Sequence, residues 1–171
     1  MASLRKTGMQ DLDAVLELHR KVAKRPGGLA RLATEIDRDL VQQFLGRAID
    51  GGVTFVAESD DGAIQGEIHA VSPGIFCFSH VLTDLTIAVD PDAQSKGLGR
   101  QLFEAFMREV TDNRPEIDRV ELIARESNSR ALAFYESLGF NIEGVFKQRI
   151  RNVDGSLESD IPMAWLRNDE T

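Results

Sequence analysis

The chain has 171 residues and a mass of 18.9 kDa, with 20 Lys and Arg against 28 Asp and Glu, a formal net charge of -8. Hydrophobic residues make up 42% and charged residues 28%, the proportions of an ordinary folded domain, which excludes a disordered or collagen-like chain. The length suits one domain over residues 1–171, and no apolar run approaches the roughly 20 residues that a membrane span needs. The opening residues carry basic side chains with no apolar stretch behind them, unlike a secretory leader. An acidic balance, with a pI near 4.9, argues against a nucleic-acid partner, which requires a basic stripe. It does not forbid a small anion held by backbone amides. One cysteine, Cys77, allows neither an internal disulfide nor a four-thiolate metal site. These features predict a cytoplasmic protein with no membrane partner.

No internal repeat or low-complexity linker divides the chain. Residues 9–24 carry Leu12, Val15, Leu16, Leu18 and Val22 close to one helical stripe, ended by Pro26, Gly27 and Gly28. A second helix is predicted over 34–49, with Ile36, Leu40, Val41, Phe44, Leu45 and Ile49 on one side and Gly51 and Gly52 closing it. The period then changes to two. Residues 53–58 and 63–71 flank Asp60, Asp61 and Gly62 as a hairpin. After Ser72, Pro73 and Gly74 a long β-prone run ends at Val89, with Leu85, Ile87 and Val89 on one face and Asp84, Thr86 and Ala88 on the other.

That strand leads through a glycine-containing loop, Gln94, Ser95, Lys96, Gly97, Leu98, Gly99 and Arg100, into a helix whose buried face is Leu98, Leu102, Phe103, Phe106, Met107 and Val110. Glycines let backbone approach a ligand, and the unpaired amides of a helix start favour an anion. On glycine spacing alone, a phosphate site and a plain strand-to-helix turn stand level. A Walker loop is absent, and the dinucleotide fingerprint fails because Leu102 stands where its third glycine belongs. Another strand over 120–124 feeds Ser127 and Asn128, suited to capping a helix over 129–138, with Gly139 at its end. Residues 140–150 and 158–166 read as two more strands around a turn at 152–155. Taken alone, Tyr135 in that helix is a packing residue.

Together the two segments resemble the GNAT superfamily of N-acetyltransferases. Gln94, Gly97 and Gly99 match its Gln/Arg-x-x-Gly-x-Gly/Ala loop, and Asn128, Tyr135 and Leu138-Gly139-Phe140 match its asparagine, tyrosine and Leu-Gly-Phe. The resemblance implies an α/β (α+β) fold: a mixed, mostly antiparallel twisted sheet of about six to seven strands, flanking helices and splayed central strands. It implies acetyl-CoA as cosubstrate, with its pyrophosphate on the amides of Ser95 to Arg100. The pantetheine arm would lie along Ile87, Ala88 and Val89, where that strand splays from residues 120–124. Asn128 would bind that arm, and Tyr135 would protonate the departing thiolate. A homodimer through the last two strands also follows from resemblance.

The general base is left open. The two positions where family members carry a glutamate are Thr83 and Ile123 here. Asp84, beside the first, is the candidate, but alternation turns it to the opposite face unless a bulge shifts the register. Glu67, His69 and His80 are further candidates, each more commonly a satisfied strand residue. His19, His69 and His80 lack metal-ligand spacing, so no metal is predicted. Cys77, between Phe76 and Phe78, is predicted to be a buried packing thiol. The expected activity is direct acetyl transfer to a primary amine of a small molecule. A peptide or protein amine, or a non-catalytic acyl-CoA-binding module on the same fold, remains an alternative.

Overall fold

In a computed structural model, which describes residues 2–93 and 97–167, one sheet carries the whole architecture. Its strands are β1 (Ser3–Lys6), β2 (Val53–Glu58), β3 (Ile64–Val71), β4 (Val81–Val89), β5 (Arg119–Arg125), β6 (Asn141–Ile142), β7 (Phe146–Arg151) and β8 (Leu157–Leu166). They follow the order β1-β2-β3-β4-β5-β8-β6, with β7 also paired to β8. Every pairing is antiparallel except β4 with β5.

Helices α1 (Leu12–Ala23) and α2 (Arg38–Asp50) cover one face of the first half of the sheet. Helix α3 (Leu98–Asn113) covers the other, and α4 (Ser129–Glu136) packs beside it. Strict alternation sorts the strands between these layers. Val53, Ala57, Ile68 and Ala70 pack towards α3, while Val56 packs with α1 and α2. Glu67 and His69 alternate with Gly66, Ile68 and Ala70, so the same rule turns both towards α1 and α2.

The eight strands exceed the six to seven expected. Strand β1 has no apolar alternation to betray it. It is held by its register with β2 and by Arg5, which donates to Asp11 at 2.8 Å and to Glu58 at 2.6 Å. The predicted strand over 140–150 divides into β6 and β7 around residues 143–145. The helix predicted over 34–49 starts only at Arg38, where Asp37 caps it by accepting from the Leu40 amide at 2.8 Å. Cys77 corrects its expectation: the apolar run leaves the sheet after Pro73 and Gly74, and the thiol lies exposed in a single 3-10 turn beside Phe76, which is 91% exposed.

Strand β4 contains the decisive irregularity. His69 pairs with Thr86 and Val71 with Thr83, so two residues, Asp84 and Leu85, stand opposite Ala70 alone. Asp84 takes a left-handed φ of 56° to make this bulge. Leu82 and Leu85 therefore both enter the α3 core, although three residues apart. The parallel pairing of β4 with β5 consists of Val81 with Arg119 and Leu82 with Val120. Beyond the bulge the two strands pair no further among the described residues, which leaves a wedge between them.

Glycine placement yields a stability test. A Cβ on Gly52 would lie 2.1 Å from the Ala70 carbonyl oxygen and 2.9 Å from the Ala48 Cα, whereas one on Gly46, inside α2, meets nothing within 4 Å. Gly52→Ala is expected to cost about 1–3 kcal/mol, towards the upper end because both obstacles are backbone. Gly46→Ala should stabilise by about 0.5–1 kcal/mol through helix propensity. Urea unfolding of both variants checks the pair.

Candidate active site

The end of β4 is pinned before the glycine loop begins. The Asp90 carboxylate accepts from the Asp92 amide at 2.9 Å, and Lys21 on α1 reaches Asp90 at 2.7 Å and Asp92 at 2.8 Å. Gln94, Ser95 and Lys96 lie outside the described residues. Gly97 then opens α3 at a φ of 69°, with open space where a side chain would stand. The first intrahelical bond here runs from the Gln101 amide to the Gly97 carbonyl at 3.2 Å, so the amides of Leu98, Gly99 and Arg100 precede the regular ladder. Gly99 lies against β4: a Cβ there would meet Val89 at 3.6 Å and Ile87 at 3.9 Å. The helix start and the splayed end of β4 thus stand together.

Helix α4 comes alongside through aromatic contacts. The Arg100 guanidinium sits 5.2 Å over the Phe134 ring, and Tyr135 packs 5.6 Å from Phe103. Asn128 caps α4, its Oδ1 accepting from the Ala131 amide at 3.1 Å, and among the described residues the NH2 of its amide has no hydrogen-bond partner. Burial pushes the Tyr135 phenol up to about 12, so at neutral pH it is a proton-bearing donor. Among the described residues its hydroxyl has no side-chain partner. Of the residues predicted for the cofactor, Ile87, Val89, Leu98, Gly99, Arg100 and Tyr135 gather where α3, α4 and β4 meet, with Ala88 turned to the other face against Leu18 and Val22.

Asp84 belongs to the opposite face. The bulge anticipated as the condition for its use is present, and the carboxylate is exposed along a cleft of about 790 Å³. Thr86 on β4 and Ile123 on β5, the two sides of the wedge, also line that cleft, so wedge and cleft communicate. His80 lies exposed and is not among the cleft's lining residues.

At the back of the cleft is a cluster that linear spacing did not reveal. Glu67 has no solvent exposure and accepts three hydrogen bonds, from Thr54 Oγ1 at 3.2 Å, His19 Nε2 at 2.9 Å and His69 Nδ1 at 3.0 Å. The Thr54 hydroxyl is met in turn by that of Thr7 at 2.8 Å. Phe44 stacks on His69 with centroids 4.2 Å apart and planes 8° apart, and lies 5.2 Å from His19. Burial alone would raise the Glu67 carboxyl. The charge of His69 and the hydrogen bonds of His19 and His69 outweigh it and hold the group down to about 2. The ligand atoms of His19, Glu67 and His69 lie within 4.8 Å of one another, and these are residue types that metals use. In this structure their facing atoms meet in hydrogen bonds centred on Glu67. The sequence held one signal for it: His19 occupies the position after Leu12, Val15 and Leu16 in the buried stripe of α1, where a hydrophobe belongs.

The comparisons place this fold among the acetyltransferases. The ribosomal-protein-S18-alanine N-acetyltransferase of Escherichia coli superposes with a TM-score of 0.77 at 26% identity, over 97% of this chain and 94% of that one. The phosphinothricin acetyltransferase of Sinorhizobium meliloti, solved with acetyl-CoA, gives 0.83 at 19% identity, over 96% and 88%. The chain belongs to the acetyltransferase (GNAT) domain family, whose model matches residues 50–142, more than half of the sequence. By sequence, the ribosomal protein bS18-alanine N-acetyltransferase of Escherichia coli K12 is 38% identical over 84 residues, 47% of this chain and 55% of the relative. The chain thus spans about half the length of the curated relatives it matches.

Glu67 generates a prediction about acid stability. Its carboxyl is more acidic folded than unfolded, so the stability it contributes is fully present above the unfolded value of 4.5 and is lost as pH falls towards the folded one. The stability difference between the wild type and Glu67→Gln should be large at pH 5 to 6 and narrow steadily below pH 4.5. Chemical denaturation across that range measures it.

Proposed function

We propose that the protein is an acetyl-CoA-dependent N-acetyltransferase that passes the acetyl group directly to a primary amine. The observation that carries this reading is the wedge beyond Leu82 and Val120, which meets the start of α3 at one end and the cleft on its α1 and α2 side. The pyrophosphate of coenzyme A would lie on the amides from Ser95 to Arg100, where the helix dipole and the absence of side chains at Gly97 and Gly99 favour an anion. The pantetheine arm would run along Ile87, Ala88 and Val89 and take the Asn128 amide as a partner. A β4 backbone amide facing the gap would polarise the thioester carbonyl. Tyr135 would give its proton to the thiolate as the C–S bond breaks.

The acceptor would enter from the cleft. Asp84 is positioned to draw an ammonium group to the wedge. Arg31, Arg47 and Arg149 share the lining with Asp84, Glu35 and Asp160, so both charge signs are present. That mixture and the volume of the cleft suit a small amine bearing an acidic group. A second reading, a protein α-amine, is favoured by the 38% identity to an enzyme that acetylates a ribosomal-protein alanine.

Calorimetric titration with acetyl-CoA, beside free CoA, ATP and NAD, tests the donor. A micromolar dissociation constant, about -8 kcal/mol, is expected for acetyl-CoA, with no response to ATP or NAD. Absence of acetyl-CoA binding by folded protein would overturn the reading. Tyr135→Phe should lower kcat roughly 10²–10⁴-fold at unchanged cofactor affinity. Unchanged turnover would remove the acid role and leave the non-catalytic binding module as the better account.

A further inference from the structure

We propose that His69 is the general base of the acceptor site, with Glu67 and Thr54 as positioning residues that dictate which ring nitrogen is free. The inference rests on the acetyltransferase reading above and names the group it lacks. An ionised carboxylate only accepts hydrogen bonds, so the nitrogens facing Glu67 must be donors: Nε2 of His19 and Nδ1 of His69. In the neutral ring the other nitrogen then carries the lone pair. Among the described residues, His69 Nε2 and His19 Nδ1 have no hydrogen-bond partner, and both rings line the cleft. His69 is the better placed of the two, because it pairs across the sheet with Thr86, a wall of the wedge. Phe44 stacks on one face of the ring and fixes its plane. The Thr7–Thr54 hydroxyl pair completes the carboxylate's shell from behind.

The proton balance is closed. His69 Nε2 takes a proton from the acceptor ammonium, and the resulting imidazolium is neutralised by the carboxylate it already touches. The amine lone pair attacks the thioester carbonyl and a C–N bond forms. As the C–S bond breaks, the thiolate takes the Tyr135 proton, and the nitrogen gives up its second proton, which restores the phenol through water. The products are the amide, CoA thiol and one proton passed from His69 to solvent. Glu67 on β3 and His19 on α1 adjoin the ring, and the charged groups that share its cleft are Asp84 on β4, Arg47 on α2, Arg31 and Glu35 ahead of α2, and Arg149 and Asp160 on β7 and β8.

Nitrogen-15 NMR of the intact protein reads the tautomer without any need for turnover. The neutral His69 ring should carry its proton on Nδ1, and Glu67→Gln should release that preference. A proton on Nε2 in the wild type would overturn the assignment even if acetyl-CoA binds. Initial rates follow with benzylamine and an alanine-initiated hexapeptide, at saturating acetyl-CoA. His69→Gln should lower kcat/KM roughly 10²–10⁴-fold at pH 7. For the peptide, whose α-amine has a pKa of about 8, the deficit should shrink to less than about tenfold by pH 9.5, because the amine is then already neutral. Glu67→Gln should show the same pH-dependent deficit, with Glu67→Asp partly restoring it. A loss equal at all pH values would mean a merely structural role. A pH-dependent loss in Asp84→Asn with none in His69→Gln would give the base to Asp84. Stoichiometric metal in purified protein that disappears with Glu67→Gln would also overturn the proposal. Failure to bind acetyl-CoA, by contrast, refutes the enzyme reading and leaves the NMR result to judge the tautomer alone.

Discussion

A sheet whose two central strands run parallel would ordinarily close its ladder along their whole length. Here the extra residue at Asp84 prevents that. With two residues of β4 opposite one of β3, the strand kinks and twists away from β5 after two paired positions. After Leu82, β4 stays paired to β3 but has no β5 partner among the described residues, so its β5-facing side is an edge inside the sheet. The same bulge turns Leu82 and Leu85 into one core and sets Asp84 on the other side. Wedge, core packing and cleft wall therefore share a single backbone irregularity at a residue whose left-handed conformation costs on the order of 1 kcal/mol.

The wedge joins two unlike environments. On the α3 side, packing is apolar and aromatic, and the polar groups available are helix-start amides, the Asn128 NH2 and the Tyr135 phenol, whose ionisation burial disfavours further. On the α1 and α2 side, a buried carboxylate sits under two imidazoles that line a cleft carrying charges of both signs. A proton donor on one face and proton acceptors on the other match what direct acyl transfer asks of a site, since one proton must leave the nucleophile and another must reach the leaving group.

The Glu67 cluster is costly to bury. A carboxylate with no solvent contact loses several kcal/mol of hydration, and hydrophobic groups of the same volume often serve stability as well or better. Its three hydrogen-bond donors offset that cost only while all remain in place. Such a network orders its members sharply, which is what a tautomer-selecting site needs.

Much of the architecture was legible in the sequence because it depends on local pattern. The apolar stripe of α1, the turn at Gly62, the glycine loop ahead of α3 and the capping Asn128 each carry their signal within a few residues. Strand β1 was not legible, since its four residues owe their conformation to β2 and to the ion pairs of Arg5 rather than to propensity. Cys77 was misplaced because an apolar triplet reads as core, whereas the path of the chain carried it over solvent. The side of the sheet that Asp84 faces turned on a bulge, whose φ of 56° no spacing rule encodes. The sequence by itself determined the glycine-led start of α3, the Asn128 and Tyr135 helix and the order of elements from α1 to α4, all of them short-range or motif-borne. Only the tertiary structure decided that His19 and Glu67, 48 positions apart, share one hydrogen bond with His69 beside them. Burial and hydrogen bonding act between neighbours in space, and sequence distance carries no record of them.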